Sequence, residues 1–337
     1  MVVPAYLIVI GTSAGGMPAL TRLVAQLPGT LPAAVLVVQH LSPDSMGEQL
    51  AARLGEHTGL RCQLATNEAP LEAGHLYLAR PDHHLLVKDQ RLLVAKGPRE
   101  NGYRPAVDAL FRSAAVAYGP RVVGLVLTGM LHDGTAGLEF VKRCGGTAVV
   151  QDPIDAEFPS MPESALRAVA VDHVAPLSQL GPLLMQLVDP ARPLPPEKVV
   201  IPPDLQLEAA IAERVVGTVE QVNQLGHLVP LTCPDCGGNL WQANHGHVLR
   251  YRCHTGHTFT AAALAEHNQQ ELEETLWVAL RMMEERKSLL LGMANHDNGH
   301  WSQRQEERLA DLKRHVNRMR EFLVNGNEGT SPTPGQS

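Results

Sequence analysis

Six consecutive residues near the N-terminus, Gly11-Thr12-Ser13-Ala14-Gly15-Gly16, have types and spacing that could do chemistry. They follow an apolar run, Tyr6–Ile10, and precede a stretch with apolar residues at helical spacing, Pro18–Leu27. In a G-x-S-x-G corner between strand and helix, the flanking glycines remove side chains that would collide, and the backbone turns sharply enough to expose the serine hydroxyl. Ser13 placed this way is a candidate nucleophile if a base can take its proton. Two other readings fit the corner: a glycine turn with a solvated serine, and a dinucleotide loop. The dinucleotide loop needs an acidic residue ending the second strand to hold a ribose hydroxyl. Here the second strand-like run, Ala34–Gln39, ends in Gln39-His40, and a histidine at a strand mouth can serve as a general base. A third apolar run, Val122–Leu127, leads into Thr128-Gly129-Met130-Leu131-His132-Asp133-Gly134. Asp133 there could orient His40 and stabilise its protonated form, or act only as a turn residue or helix N-cap before Thr135.

A second constellation lies far downstream. Cys233-Pro-Asp-Cys236-Gly-Gly and Cys253-His-Thr-Gly-His257 are two short knuckles with sixteen residues between Cys236 and Cys253. The C-x-x-C spacing lets two thiolates reach one ion, and the second knuckle supplies Cys253 with either His254 or His257. His257 is favoured, because Gly256 allows the turn that brings it beside Cys253. The set reads as a closed Cys₃His structural zinc ribbon with no open coordination position. Its alternatives are a metal-free loop, with His245 and His247 on the surface, or a redox C-x-x-C that lacks a surrounding βαβ unit. Of the five cysteines, Cys62 and Cys144 stand alone in apolar surroundings as reduced core residues.

Elements must hold these groups in place. Up to about residue 188, β-branched runs (Tyr6–Ile10, Ala34–Gln39, Val122–Leu127, Thr147–Gln151) alternate with amphipathic segments (Pro18–Leu27, Met46–Leu54, Val107–Tyr118, Ala136–Cys144). This predicts an α/β fold with a mainly parallel, doubly wound sheet. His75–Ala79, His84–Lys88 and Arg91–Ala95 are short and close together, which predicts a small antiparallel excursion at one sheet edge. Six prolines within 189–203 mark a semi-rigid linker. A helix from Asp204 to about Arg214 and the ribbon fill 204–260. Residues 261–325 form a helical hairpin, with helices at 261–293 and 303–323 joined by a turn at Asn295–His300. Leu309, Leu312, Val316, Met319 and Leu323 face a matching row of Leu272, Leu276, Ala279, Met283 and Leu290. Residues 326–337 form a polar, disordered tail.

The chain has 337 residues and a formal net charge of −7. That balance argues against a nucleic-acid partner. No apolar run is long enough to insert in a membrane, and reduced cysteines with no secretory leader point to the cytoplasm.

The span from about Tyr6 to Val188 resembles the catalytic domain of CheB-type protein-glutamate methylesterases of bacterial chemotaxis. The residues that carry the resemblance are 10–16, Val-Gln-His at 38–40, Arg-Pro-Ala-Val-Asp-Ala-Leu-Phe-Arg-Ser-Ala-Ala at 104–115, 127–134, Gln-Asp at 151–152 and Ser-Met-Pro-Glu-Ser-Ala at 160–165. The resemblance implies Ser13 as nucleophile, His40 as base and Asp133 as its orienting carboxylate, with the backbone at Ala14 and Met130 in the oxyanion hole. It also implies that catalysis needs no cofactor. Ala14, Leu131 and His132 depart from the family's usual residues. The family commonly carries an N-terminal receiver domain; none precedes the first strand here, so the resemblance leaves control to a response regulator in trans.

The activity implied is hydrolysis of glutamyl methyl esters on a chemoreceptor-like protein, releasing methanol, with glutamine deamidation by the same chemistry. The alternatives are a catalytically silent CheB-like scaffold in a signalling complex and an esterase for small molecules. Some receiver-less CheB-like proteins are similar in their C-terminal Cys-rich segment and helices. The helical hairpin suits either a homo-oligomer or docking on a helical receptor bundle.

Overall fold

The computed structural model describes residues 3–191, 200–214, 217–243, 245–296 and 303–325. In chain order, β1 (Tyr6–Thr12), α1 (Gly16–Val24), β2 (Ala33–Gln39), α2 (Gly47–Gly55), β3 (Arg61–Leu64) and β4 (His75–Leu78) come first. A hairpin of β5 (His84–Lys88) and β6 (Arg91–Ala95) follows. Then come α3 (Val107–Tyr118), β7 (Val122–Val126), α4 (Thr135–Arg143), β8 (Thr147–Gln151), α5 (Ser160–Ala168), β9 (His173–Ala175) and α6 (Leu177–Leu187). Most of the Pro-rich segment, 192–199, most of the expected connecting turn, 297–300, and the expected tail, 326–337, lie outside the described residues.

The main sheet has the order β3-β4-β2-β1-β7-β8-β9, with every pair parallel. All residues of β1, β2 and β7 are buried, as strands covered on both faces must be. Alternate side chains of β1 therefore enter different cores. Leu7 and Val9 pack with Phe111, Leu138 and Phe140 of α3 and α4. Ile8 and Ile10 pack with Leu20, Leu23, Leu54 and Leu180 of α1, α2 and α6. The chain winds outward from β1 through β2, then returns to place β7 on the other side of β1. Strand order reverses there, and in open α/β sheets ligands bind outside the carboxyl ends of the strands at such a reversal.

The segment His75–Ala79 corrects the expectation of an antiparallel excursion. β4 lies inside the main sheet, parallel to both β2 and β3. Leu76, Tyr77 and Leu78 are all buried, which an edge position would not allow. β3 takes the edge instead, with its Arg61 and Gln63 exposed. Only β5 and β6 form the hairpin, as a separate two-stranded sheet whose Leu85 and Val87 pack with Leu110 and Phe111 of α3. α5 and α6 each contain proline, Pro162 and Pro182, which masks their helical pattern in the sequence.

Beyond the sheet lie α7 (Pro203–Arg214), α8 (Val219–Leu225), β10 (Gly226–Thr232), β11 (Asn239–Ala243), β12 (Arg250–Cys253) and β13 (Thr258–Thr260). The four strands form an antiparallel ribbon sheet in sequence order. Residues 1–264 make one compact unit, joined through buried charges. Arg112 of α3 is bidentate to Glu100, at 2.6 and 3.0 Å. Glu208 of α7 accepts from Arg250 of β12 at 2.7 Å, and that guanidinium lies 4.4 Å over the Phe140 ring. The Glu139 carboxylate of α4 accepts the N–H groups of His247 and Val248. Buried charges persist only when paired in this manner.

The second unit, from Ala265 onward, holds most of α9 (Ala261–His296) and α10 (Gln303–Asn325). Its core is Leu276, Leu280 and Met283 against Leu312, Val316, Met319 and Leu323. Leu280 replaces Ala279 in the expected seam and Leu272 is exposed. The acidic and basic helices pair where Arg320 Nη2 meets Glu284 Oε1 at 2.7 Å. No helix among the described residues is long and apolar enough to cross a membrane.

Candidate active site

Ser13 follows β1 directly, at the carboxyl end of the sheet. Its N–H donates to Thr128 O at 3.1 Å, and its carbonyl accepts from Gln39 Nε2 at 2.8 Å. Both bonds tie the corner to the neighbouring strand ends. The glycines are needed for close approach: a Cβ at Gly16 would lie 2.1 Å from Gln39 Oε1, and one at Gly11 would lie 2.2 Å from Val107 Cγ1. Gly15 sits at φ 71°, the left-handed conformation that starts α1.

β2 ends at Gln39, in register with Thr12, so His40 emerges beside the corner. Its N–H donates to Thr12 O at 3.1 Å. Its ring bridges the two other candidates: Nδ1 is 3.2 Å from Ser13 Oγ and Nε2 is 2.8 Å from Asp133 Oδ2. A carboxylate can only accept, so Nε2 carries the proton and Nδ1 is free to accept from the serine hydroxyl. The ring of Tyr103 stacks on the imidazole, with centroids 3.7 Å apart.

Asp133 follows β7 and is buried against the N-terminus of α3. Its Oδ2 accepts from Val107 N at 2.7 Å, and its Oδ1 accepts from Asp108 N at 3.2 Å, Asn101 Nδ2 at 3.1 Å and Gly134 N at 3.1 Å. Burial pushes its pKa up, but the His40 contact and these amides outweigh that and hold the carboxyl below its usual range. The opposite holds for its neighbour Asp108. Burial, then the Asp133 charge, pushes the Asp108 carboxyl up to about 8. Asp108 Oδ1 accepts from Gly134 N and Gly137 N at 2.9 and 2.6 Å, and its Oδ2 accepts from Asn101 Nδ2 at 2.8 Å. Two adjacent buried carboxyls cannot both ionise cheaply, so burial and the Asp133 charge push Asp108 toward its protonated form while His40 and the surrounding amides favour charge on Asp133.

The N–H groups of Ala14 and Met130 donate to no acceptor among the described residues. Leu131 adopts φ 70°, and His132 Nδ1 lies 3.2 Å from Ser164 Oγ. Asn101, Tyr103 and Asp108 are the site residues that sequence reasoning did not single out. Asp108 stands within the Arg-Pro-Ala-Val-Asp run at 104–108, which was its only signal.

Elsewhere in the same unit, Cys233, Cys236, Cys253 and His257 bring their ligand atoms within 4.8 Å of one another. His257, not His254, joins the cluster. Cys236 Sγ is 3.8 Å from Cys253 Sγ, and His257 Nδ1 is 3.7 Å from Cys233 Sγ and 3.5 Å from Cys253 Sγ. A tetrahedral zinc with Zn–S of about 2.3 Å and Zn–N of about 2.0 Å has edges of roughly 3.8 and 3.5 Å. The donor set fits that ion. Asp235 Oδ2 lies 3.8 Å from His257 Nε2, beyond hydrogen-bond distance.

The CheB methylesterase family model matches residues 8–184. A Leptospira interrogans protein called putative protein-glutamate methylesterase/protein-glutamine glutaminase is 38% identical over 181 residues, covering 53% of this chain and 93% of that protein. Protein-glutamate methylesterase FrzG of Myxococcus xanthus is 37% identical over 187 residues, and the matched part spans 56% of its length. The crystal structure of the Thermotoga maritima CheB methylesterase catalytic domain superposes with a TM-score of 0.52 at 33% identity, covering 54% of this chain and 98% of that one. On these matches and the sheet that carries them, the chain belongs to the CheB methylesterase family.

Proposed function

We propose that this chain hydrolyses glutamyl methyl esters on a chemoreceptor-like protein, with Ser13, His40 and Asp133 as a catalytic triad. The observation that carries the reading is the His40 ring held between Ser13 Oγ and the Asp133 carboxylate at 3.2 and 2.8 Å. Ser13 Oγ attacks the γ-carbonyl carbon while His40 Nδ1 takes its proton. Asp133 stabilises the imidazolium, and the Ala14 and Met130 amides receive the developing oxyanion. The imidazolium then protonates the methoxide oxygen, the C–O bond breaks and methanol leaves. Water, deprotonated by His40, attacks the acyl-enzyme and restores the Ser13 hydroxyl, leaving free glutamate. With a glutamine substrate the same steps release ammonia, the second activity in the names of several relatives.

Zinc has a structural part in this reading, held by Cys233, Cys236, Cys253 and His257, and supplies fold stability to the ribbon. A response regulator acting in trans would supply control. A cytoplasmic setting belongs to the same reading, since a thiolate knuckle needs reduced cysteines.

Methanol release from methylated receptor membranes, by the wild type and by Ser13→Ala, tests the proposal. Turnover lost in the variant supports it. Equal rates for the two proteins would sink the hydrolase reading and leave a scaffold role.

A further inference from the structure

One short loop touches two members of the site. Residues 100–103 close on themselves: Glu100 N donates to Tyr103 O at 3.1 Å and Tyr103 N donates to Glu100 O at 2.9 Å. From this loop Asn101 reaches Asp133 and Asp108 through Nδ2, at 3.1 and 2.8 Å, and Tyr103 stacks on His40. Two further bonds fasten the loop from outside the domain matched by the family model. Asn101 N donates to Thr258 O at 2.7 Å, and Thr260 N donates to Asn101 Oδ1 at 2.9 Å. Both partners lie in β13, and Thr258 directly follows His257 of the Cys₃His cluster.

The knuckle and the triad are thus a few bonds apart. His257 O accepts from Cys253 N at 3.0 Å, closing the turn that aims β13 at the loop. Asn101 sits at φ 52°, a left-handed backbone that an isolated loop would hold only weakly. Strand β13 satisfies its backbone N–H and its side-chain oxygen together. That fixes the amide plane, so that Nδ2 must face the two carboxyls.

We propose that the Cys/His ribbon sets the geometry of the triad: β13 fixes the 100–103 loop, and the loop holds Asp133 through Asn101 and His40 through Tyr103. Asn101 is a positioning residue, and integrity of the metal knuckle is a condition for full turnover. The kinetic part rests on the hydrolase reading above; the structural part does not.

The test uses the full chain with three variants, Cys236→Ala, Asn101→Gly and the double. Cys236 is the exposed cysteine of the cluster, and glycine tolerates the φ at 101. The expected result for Cys236→Ala is loss of bound Zn²⁺ and faster amide hydrogen exchange across 100–108. Its kcat on a short glutamyl methyl ester peptide falls about tenfold with KM unchanged, as expected when a reacting group is displaced without a lost substrate contact. Asn101→Gly gives a similar fall while still binding Zn²⁺. The double variant is no slower than Asn101→Gly alone, because both act along one path. Unchanged exchange at 100–108 after Zn²⁺ loss, or effects that multiply in the double variant, would overturn the proposal. If Cys236→Ala does not fold, the same exchange measurement on wild type before and after chelation, with Zn²⁺ added back, decides it. Because exchange is read without substrate, a failed Ser13→Ala experiment would remove the hydrolase reading and leave this result standing.

Discussion

The imidazole of His40 lies flat on the ring of Tyr103, with the two planes 9° apart and the centroids 3.7 Å apart. A stacked aromatic face fixes the plane of the imidazole. Rotation about χ2 would break the contact and lose both in-plane partners, Ser13 and Asp133.

Replacing Tyr103 therefore separates ring packing from chemistry. Tyr103→Ala is expected to lower kcat about tenfold with little change in KM, since misplacing a reacting group by a fraction of an ångström is costly. Tyr103→Phe, which keeps the stacked face, should stay within a few-fold of wild type by the same reasoning. Steady-state kinetics on methylated receptor gives both numbers. A loss in Tyr103→Phe equal to that in Tyr103→Ala would refute the stacking argument.

Asp133 is surrounded by donors: His40 Nε2, two α3 amides, Gly134 N and Asn101 Nδ2. An asparagine cannot face all of them, because its amide nitrogen is itself a donor. Asp133→Asn should cost about 10³–10⁴ in kcat, by imposing the wrong imidazole tautomer. It should also lower the thermal midpoint, because a buried donor is left facing a donor. An unchanged midpoint in calorimetry would contradict the donor count.

The pH dependence of stability has a sign set by Asp108. Its folded carboxyl is raised from the ordinary 3.8 to about 8, by burial and then by the Asp133 charge. Between those values the unfolded chain releases a proton that the folded chain keeps. Stability present below about 3.8 is lost progressively as pH rises toward 8 and is level beyond. Urea midpoints of wild type and Asp108→Asn, compared from pH 5 to about 9, should show that decline in wild type alone. A parallel pair of curves would mean that Asp108 does not hold the proton.

The Cys₃His cluster should bind one Zn²⁺ per chain. Loading the chain with Co²⁺ should give the intense thiolate charge-transfer and d–d bands of a tetrahedral sulfur-rich site. Chelation should lower the thermal midpoint of the ribbon, since metal binding to such a site is coupled to its folding. A six-coordinate Co²⁺ spectrum would show that the four side chains do not close around the ion.

Much of the site was legible because its carriers are local. The strand–glycine–helix corner at Ser13, His40 ending a buried strand and Asp133 in a third turn each follow from short-range pattern, and parallel strands on both sides of β1 bring their ends together. The Cys₃His cluster was legible for the same reason, as two knuckles with a glycine at each turn. The place of β4 was not, because a short buried run reads alike at an edge or inside a sheet. Asn101, Tyr103 and Asp108 were not legible either. Asn101 is fastened by β13, more than 150 residues later in the chain; the Asp108 carboxyl is pushed up only because folding buries it beside Asp133. Short-range pattern alone identifies which groups could react. Which carboxyl is pushed toward its neutral form, which ring nitrogen faces the serine and what fastens the loop between them depend on desolvation and long-range hydrogen bonds that no local pattern contains.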